Sequence, residues 1–431
     1  MTDADRVPLS PGQQALWLFQ HMSPRSSAYH VPIAFRLTGP LAVDALRGAL
    51  DMVVRRHEVL RTAFRVDGDG EPYQEVLPPG RVDVPVHEAA DADAAFKVVE
   101  DLVRAPFDLA EGRPIRAAVV RPAEHEHVFV VVLHHIVADG WSLRVLTDEL
   151  SSAYRALWRG EEPKLPHLDV QYADYALWQR ELMSEMDDRI GYWARVLADL
   201  PAVDLAGGRP RPRRPSYTAE RLLVDVPADV TRGLRALAAA RGTSLFPLLA
   251  AAFAVVLRDR TGQADVAFGT LLAGRGEPEL EPLVGYFVNL VVLRCDLSDD
   301  PSTTEVARRL GAAMLAAIDH EAPFGAVVER LAPPRAAGRN PLVQVTMQLR
   351  TGTSAPAVPD LPGVDAVELD VYQGQHAFDL TLTFLDLPDR LTVSAEYSTE
   401  VFDRAGARDL VDRIVRTLHA LPEGNADGRP R

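Results

Sequence analysis

A chain of 431 residues, 47% hydrophobic and 25% charged, has material for a sizeable core and for two or three units of ordinary size. Its 61 acidic against 46 basic residues leave a formal net charge of -15, which argues against a nucleic-acid binder; the one basic cluster, Arg209-Pro-Arg-Pro-Arg-Arg214, reads as a solvated linker. A single cysteine, Cys295, excludes an intrachain disulfide and a cysteine-built metal site, and reads as a small buried apolar residue.

The first residues, Met1-Thr-Asp-Ala-Asp-Arg6, lack the regions of a signal peptide, and no apolar run is long enough to cross a bilayer, so a cytoplasmic protein without membrane partners is expected. Leu41 to Val54 reads as an amphipathic helix with Leu46, Leu50 and Val53 on one side. Val128-Phe-Val-Val-Val-Leu133 is continuously apolar, the mark of a strand buried on both faces, with His125 and His127 solvated at its start. A helix follows, with Ser142 as its N-cap and Leu143, Leu146, Leu150, Tyr154 and Leu157 at three- and four-residue spacing. Residues 201–216, rich in proline and arginine, read as a loop or linker. Helices are expected at Asp229–Ala240 and Ser244–Leu257, and strands at Ala264–Thr270 and Phe287–Leu293. Phe378–Phe384 and Leu391–Tyr397 alternate apolar and polar residues as paired half-buried strands do. The whole is a mixed α/β pattern with no short-period repeat.

The most informative stretch is Leu133-His-His-Ile-Val-Ala-Asp-Gly-Trp-Ser142, where a buried strand ends in two histidines and a turn leads into a helix. Alternation along a strand points His134 and His135 in opposite directions, which argues against a shared metal and leaves one imidazole free to face a cavity. A histidine titrating near neutrality suits proton transfer. Asp139 suits a charge-assisted bond to an arginine, and Gly140 removes a side chain where a substrate would approach. By itself the string fits equally two core histidines and a turn aspartate. There is no Gly-x-Ser-x-Gly elbow and no P-loop, so serine-hydrolase chemistry and ATP-driven acid activation have no support.

The His134–Ser142 stretch resembles the active-site signature of nonribosomal peptide synthetase condensation domains, relatives of chloramphenicol acetyltransferase. Six further stretches match in the family's order: Leu9-Ser-Pro-Gly-Gln-Gln-Ala-Leu-Trp17, Arg56–Phe64, Tyr172–Trp178, Val284-Gly-Tyr-Phe-Val-Asn289, His320–Phe324 and Gly338–Leu342. Ala15 stands where the family usually has arginine, Leu290 follows Asn289 where threonine is usual, and Glu321-Ala322 and Gly325 depart from the pattern around His320. The resemblance implies an α/β (α+β two-layer) fold of two acetyltransferase-like lobes, 1–178 and 179–431, forming a V-shaped pseudo-dimer with a central tunnel. It implies amide formation between a donor acyl or peptidyl thioester and the amine of an aminoacyl thioester. It implies further that no cofactor or metal is bound by the domain itself, that upstream and downstream carrier proteins deliver the substrates on phosphopantetheine arms, and that an adenylation domain neighbours it.

By matching position, the catalytic set is His135, Asp139 and Gly140. His135 takes the amine proton or orients the amine, and Asp139 pairs with an arginine that shapes the site. Arg275 is the candidate partner, with Arg294 in reserve. His134 is structural, Asn289 either lines the tunnel or holds a loop, and Trp141 and Ser142 support the motif, with Trp141 and Trp17 expected in the core. His57 is expected to tie a helix end to a turn. Arg56-His-Glu-Val-Leu-Arg61 is similar to members that take L-configured donors, and the opening motif to members placed after starter or polyketide modules. Three other functions share the fold: an epimerisation-type relative, a non-catalytic recruitment platform, and a stand-alone acyltransferase using a free amine. The C-terminal end suggests a domain cut from a longer assembly line.

Overall fold

The structure is a computed structural model that describes residues 6–206, 212, 215–334, 339–351 and 358–421. The Arg209–Arg214 cluster, except Pro212, lies outside the described residues, as do Gly338 of the Gly338–Leu342 stretch and the last ten positions. Two compact units emerge. The first comprises Met1–Glu185, Ala273–Val288 and Ser354–Gly374; the second comprises Met186–Leu272, Asn289–Thr353 and Gln375–Arg431. The expected cut after residue 178 thus misses two excursions, 273–288 and, among the described residues, 358–374, which group with the first unit. Nothing local in either segment announces this, because the contacts that hold them are long-range.

The first unit is built on a five-stranded sheet ordered Asp365–Leu369, His30–Thr38, Glu126–His134, Ile115–Ala123, Val86–Glu88. The Glu126–His134 strand is central and antiparallel to both neighbours, and His30 lies opposite His134. Residues 127–134 are all buried, which is what the unbroken apolar run requires. His127 belongs to that buried run, so the expectation that it is solvated fails, whereas His125 is exposed. The helices Val43–Arg56 and Gly140–Trp158 lie against each other so closely that a Cβ on Gly48 would come 2.9 Å from Leu157. The first of them starts and stops two residues later than the periodicity suggests. A three-stranded sheet of Val7–Pro8, Pro72–Val76 and Thr62–Val66 completes this unit's β structure.

The second unit has a six-stranded sheet ordered Asn289–Asp296, Asp265–Leu272, Val345–Thr351, Leu380–Asp386, Leu391–Ser398, Ala219–Val226. Val345–Thr351 runs parallel to both of its neighbours, and the expected Leu380/Leu391 pair is antiparallel in register Leu380↔Tyr397. The expected strand beginning at Phe287 starts at Asn289. Leu245–Thr261 is the core helix, buried from Leu245 to Leu257 except Phe246, and Cys295 lies in the same core. Val203 and Leu205 are buried there too, so the proline-rich stretch begins as packed structure and not as linker. Among the described residues no single helix is long and apolar enough to cross a membrane.

Candidate active site

The Glu126–His134 strand delivers both histidines, but the chain leaves the strand at His134 and enters a short 3-10 turn, His135–Val137. His134 is fully buried. Its Nδ1 accepts the Ile136 N–H at 3.1 Å, so Nε2 carries the proton and donates to Gln20 Oε1 at 3.3 Å. Both nitrogens are satisfied, and burial, with His30 close by, drives its pKa well below the usual histidine range. His134 is a neutral strut.

His135 is different. Its Nδ1 lies 2.6 Å from the carbonyl oxygen of Ala138, which can only accept, so Nδ1 carries the proton. The lone pair of the neutral ring therefore sits on Nε2. Burial lowers the pKa, opposed in part by the negative charge of Asp139, and the ring is only half-buried. Two tyrosines flank it edge-on: Tyr286 with centroids 5.1 Å apart and planes at 89°, and Tyr29 at 6.3 Å and 70°. The arrangement is a neutral imidazole of fixed tautomer with one basic nitrogen.

Asp139 is the true N-cap of the helix, which begins at Gly140 and not at Ser142. Capping by serine would leave three helical residues unexplained; Asp139 Oδ1 accepts the Ser142 N–H at 2.8 Å. Ser142 then stands in the first turn, its hydroxyl 2.7 Å from Asp139 Oδ1 and 3.0 Å from the Gly285 N–H it accepts. Asp139 Oδ2 accepts the Phe287 N–H at 3.1 Å. Arg275 Nη2 lies 3.1 and 3.3 Å from the two carboxylate oxygens, with side-chain exposures of 2% for Arg275 and 0% for Asp139. The guanidinium also donates to Leu280 O and Leu283 O and lies 4.0 Å over the Phe287 ring. Burial lowers the Arg275 pKa while Asp139 raises it. Every strong acceptor position of Asp139 is occupied by protein. The reserve candidate, Arg294, instead pairs with Asp265 in the second unit.

A Cβ at Gly140 would meet nothing within 4 Å, so the protein leaves open space there. Trp141 is 44% exposed and not a core residue as expected; its Nε1 donates to Glu281 O at 2.9 Å. Trp17 is half-buried and stacked on His21. His57 caps the end of the Val43–Arg56 helix as expected. It also does something the sequence did not suggest: Nδ1 accepts the Val284 N–H at 3.3 Å, and Nε2 donates to Glu149, which also holds Arg56. Asn289 belongs to the second unit, where it holds a loop: Nδ2 donates to Glu321 Oε1 and Ala322 O, and Oδ1 accepts the Phe324 N–H. The His320 ring stacks on Tyr192 at 3.9 Å in the same unit, and burial raises the Glu321 pKa. Tyr29 and Tyr286 were the residues sequence reasoning passed over. Tyr286 stands inside the quoted Val284–Asn289 motif, which was the available signal.

The fold is a mixed α/β scaffold that carries a His-His-x-x-x-Asp-Gly motif, and comparison with known proteins specifies its family. The family model described as Condensation domain matches residues 3–427. The chain belongs to the condensation domain family, the peptide-bond-forming acyltransferases of nonribosomal peptide synthetases. It is 38% identical over 440 residues to a probable non-canonical nonribosomal peptide synthetase of Salinispora arenicola, covering 98% of this chain but 6% of that protein. Among solved structures it resembles the X-domain from teicoplanin biosynthesis, at 30% identity, TM-score 0.91, and 99% and 97% coverage of the two chains. That domain is also similar in its complex with OxyB, at 30% identity, TM-score 0.90, and 100% and 98% coverage. The first condensation domain of the calcium-dependent antibiotic synthetase, with a substrate analogue, has the same fold at 22% identity, TM-score 0.82, and 99% and 98% coverage.

Proposed function

We propose that the chain joins a donor acyl or peptidyl thioester on one carrier protein to the amine of an aminoacyl thioester on the next. The nitrogen attacks the thioester carbonyl, the C–S bond breaks, and the proton lost by the amine ends on the departing thiolate. His135 Nε2 is the group that takes or orients that amine proton. The observation that carries this reading is the Nδ1–Ala138 O bond, which leaves Nε2 unprotonated in a ring that burial keeps neutral. A thioester is already activated, so holding amine and carbonyl together contributes much of the rate. Asp139 and Arg275 act as the buried brace of this site and do not meet substrate, and Gly140 supplies open approach. The carriers present their substrates on phosphopantetheine, an adenylation domain adjoins, and the Arg56–Arg61 and opening motifs favour an L-configured or starter-type donor in a cytoplasmic assembly.

The test is intact-mass spectrometry of an acceptor carrier after mixing the domain with loaded donor and acceptor carriers. A condensed mass lost in His135→Ala is expected; a product unaffected by that change would refute the role of His135. A second reading, a recruitment platform, draws on the teicoplanin X-domain, which is known in complex with OxyB. It predicts no condensation by wild type together with stable binding of a tailoring enzyme.

A further inference from the structure

The residue most firmly delivered to His135 is one that the motif reading leaves without a role. Four consecutive residues, Val284 to Phe287, have their backbone held by buried side chains from elsewhere in the first unit. The Val284 N–H goes to His57 Nδ1 at 3.3 Å and the Gly285 N–H to Ser142 Oγ at 3.0 Å. Tyr286 O accepts the Tyr172 hydroxyl at 2.6 Å, and the Phe287 N–H goes to Asp139 Oδ2 at 3.1 Å. Tyr172 is itself anchored, its oxygen 2.9 Å from Ser10 Oγ. Gly285 has no room for a side chain, since a Cβ would lie 2.1 Å from the Tyr172 ring. A loop bound on every side in this way has one free variable, the Tyr286 side chain, and that ring lies edge-on against His135. The same ring packs on Gly12, where a Cβ would come within 2.9 Å of Tyr286 Cε1.

We propose that Tyr286 is a positioning residue for His135, its ring held in place by packing on Gly12 and set against the imidazole so that Nε2 keeps one direction. The inference rests on the amide-forming reading above. It gives the Asp139–Arg275 pair a purpose: Asp139 grips the Phe287 N–H, one residue from the clamp. The role belongs to the ring. An edge-to-face contact restrains the partner plane through the ring's quadrupole, which phenylalanine shares. The Ala138 bond fixes the tautomer, while the plane of the imidazole is set by its aromatic neighbours, of which Tyr286 is nearer than Tyr29.

The experiment compares wild type, Tyr286→Ala, Tyr286→Phe and Gly12→Ala in two readouts. One is single-turnover condensation with kcat and KM for the acceptor carrier. The other is 15N NMR of histidine-labelled domain, with the His135 signals assigned by their loss in His135→Ala. Tyr286→Ala is expected to lower kcat about 10- to 100-fold, the cost of a misdirected catalytic group, with KM within twofold and the thermal midpoint kept. Its His135 nitrogens should move from the values of a bare Nε2 toward averaged ones. Gly12→Ala should move both readouts the same way, and Tyr286→Phe should restore both. Wild-type kinetics and unmoved His135 signals in Tyr286→Ala would overturn the proposal, as would a phenylalanine variant as impaired as alanine. If wild type itself makes no product, the amide-forming reading fails, while the NMR comparison still decides whether Tyr286 holds His135.

Discussion

Cutting the Asp139–Arg275 pair at one end should cost at least as much as removing it whole. The two side chains are at 0% and 2% exposure and 3.1 Å apart. Asp139→Ala leaves the buried Arg275 charge without a counter-charge, held only by the Leu280 and Leu283 carbonyls and the Ser142 hydroxyl, orphans the Phe287 and Ser142 N–H groups, and removes the helix cap. Leaving one buried charge unpaired costs about 3–5 kcal/mol, and the cap about 1 kcal/mol. Arg275→Met instead strands the carboxylate and frees Leu280 O and Leu283 O, for a loss of about the same size. The double variant carries no stranded charge, so it should lose no more than either single one, giving a coupling at least as large as one single loss, about 4 kcal/mol or more. At about 2–4 °C per kcal/mol for a unit of this size, each single variant should melt about 10–20 °C early. Urea midpoints and thermal scans of the four proteins measure the cycle. Single losses below about 1 kcal/mol, or losses that simply add in the double variant, would show that the pair does not brace this site.

Gly140→Ala should fold like wild type, because a Cβ there meets nothing; an intact melting midpoint with slower condensation would mark substrate approach, and unchanged kinetics would remove Gly140 from the site. Gly285→Ala should instead destabilise by about 1–3 kcal/mol or more, as overpacking against Tyr172 and Phe287 demands, seen as a lower urea midpoint. Stability should fall as pH drops. Burial holds His30 down at about 4 and His134 well below its usual range, so between pH 6.5 and about 4 the unfolded chain takes protons that the folded chain refuses. For His30 alone the loss over that window is about 3 kcal/mol, and His30→Phe should flatten the fall measured by unfolding at pH 7, 6 and 5. Because burial also lowers the His135 pKa, the acid limb of the condensation rate should lie below 6.5, and a limb at or above that value would contradict a buried neutral imidazole.

Features written in neighbouring residues were legible before any coordinates. The unbroken 128–133 run can only be a strand buried on both faces, the histidines at its end follow, and the apolar spacing after Leu143 can only be a helix resting on that sheet. Ordered motifs added the family and singled out Arg275 across 136 residues from Asp139. The helix start was misread because serine and aspartate are both good caps, and only the hydrogen bond to the Ser142 N–H decides between them. Nor does periodicity say that 273–288 leaves its sequence neighbours to join the first unit, since a segment without regular structure carries no periodic signal. The clamp on His135 is of the same kind. Gly12, His57, Tyr172 and Tyr286 each stand inside one of the ordered motifs, but those motifs are far apart along the chain and nothing in any one of them says that the four residues meet. They act together because tertiary packing closes a loop whose backbone groups, once buried, must find partners there.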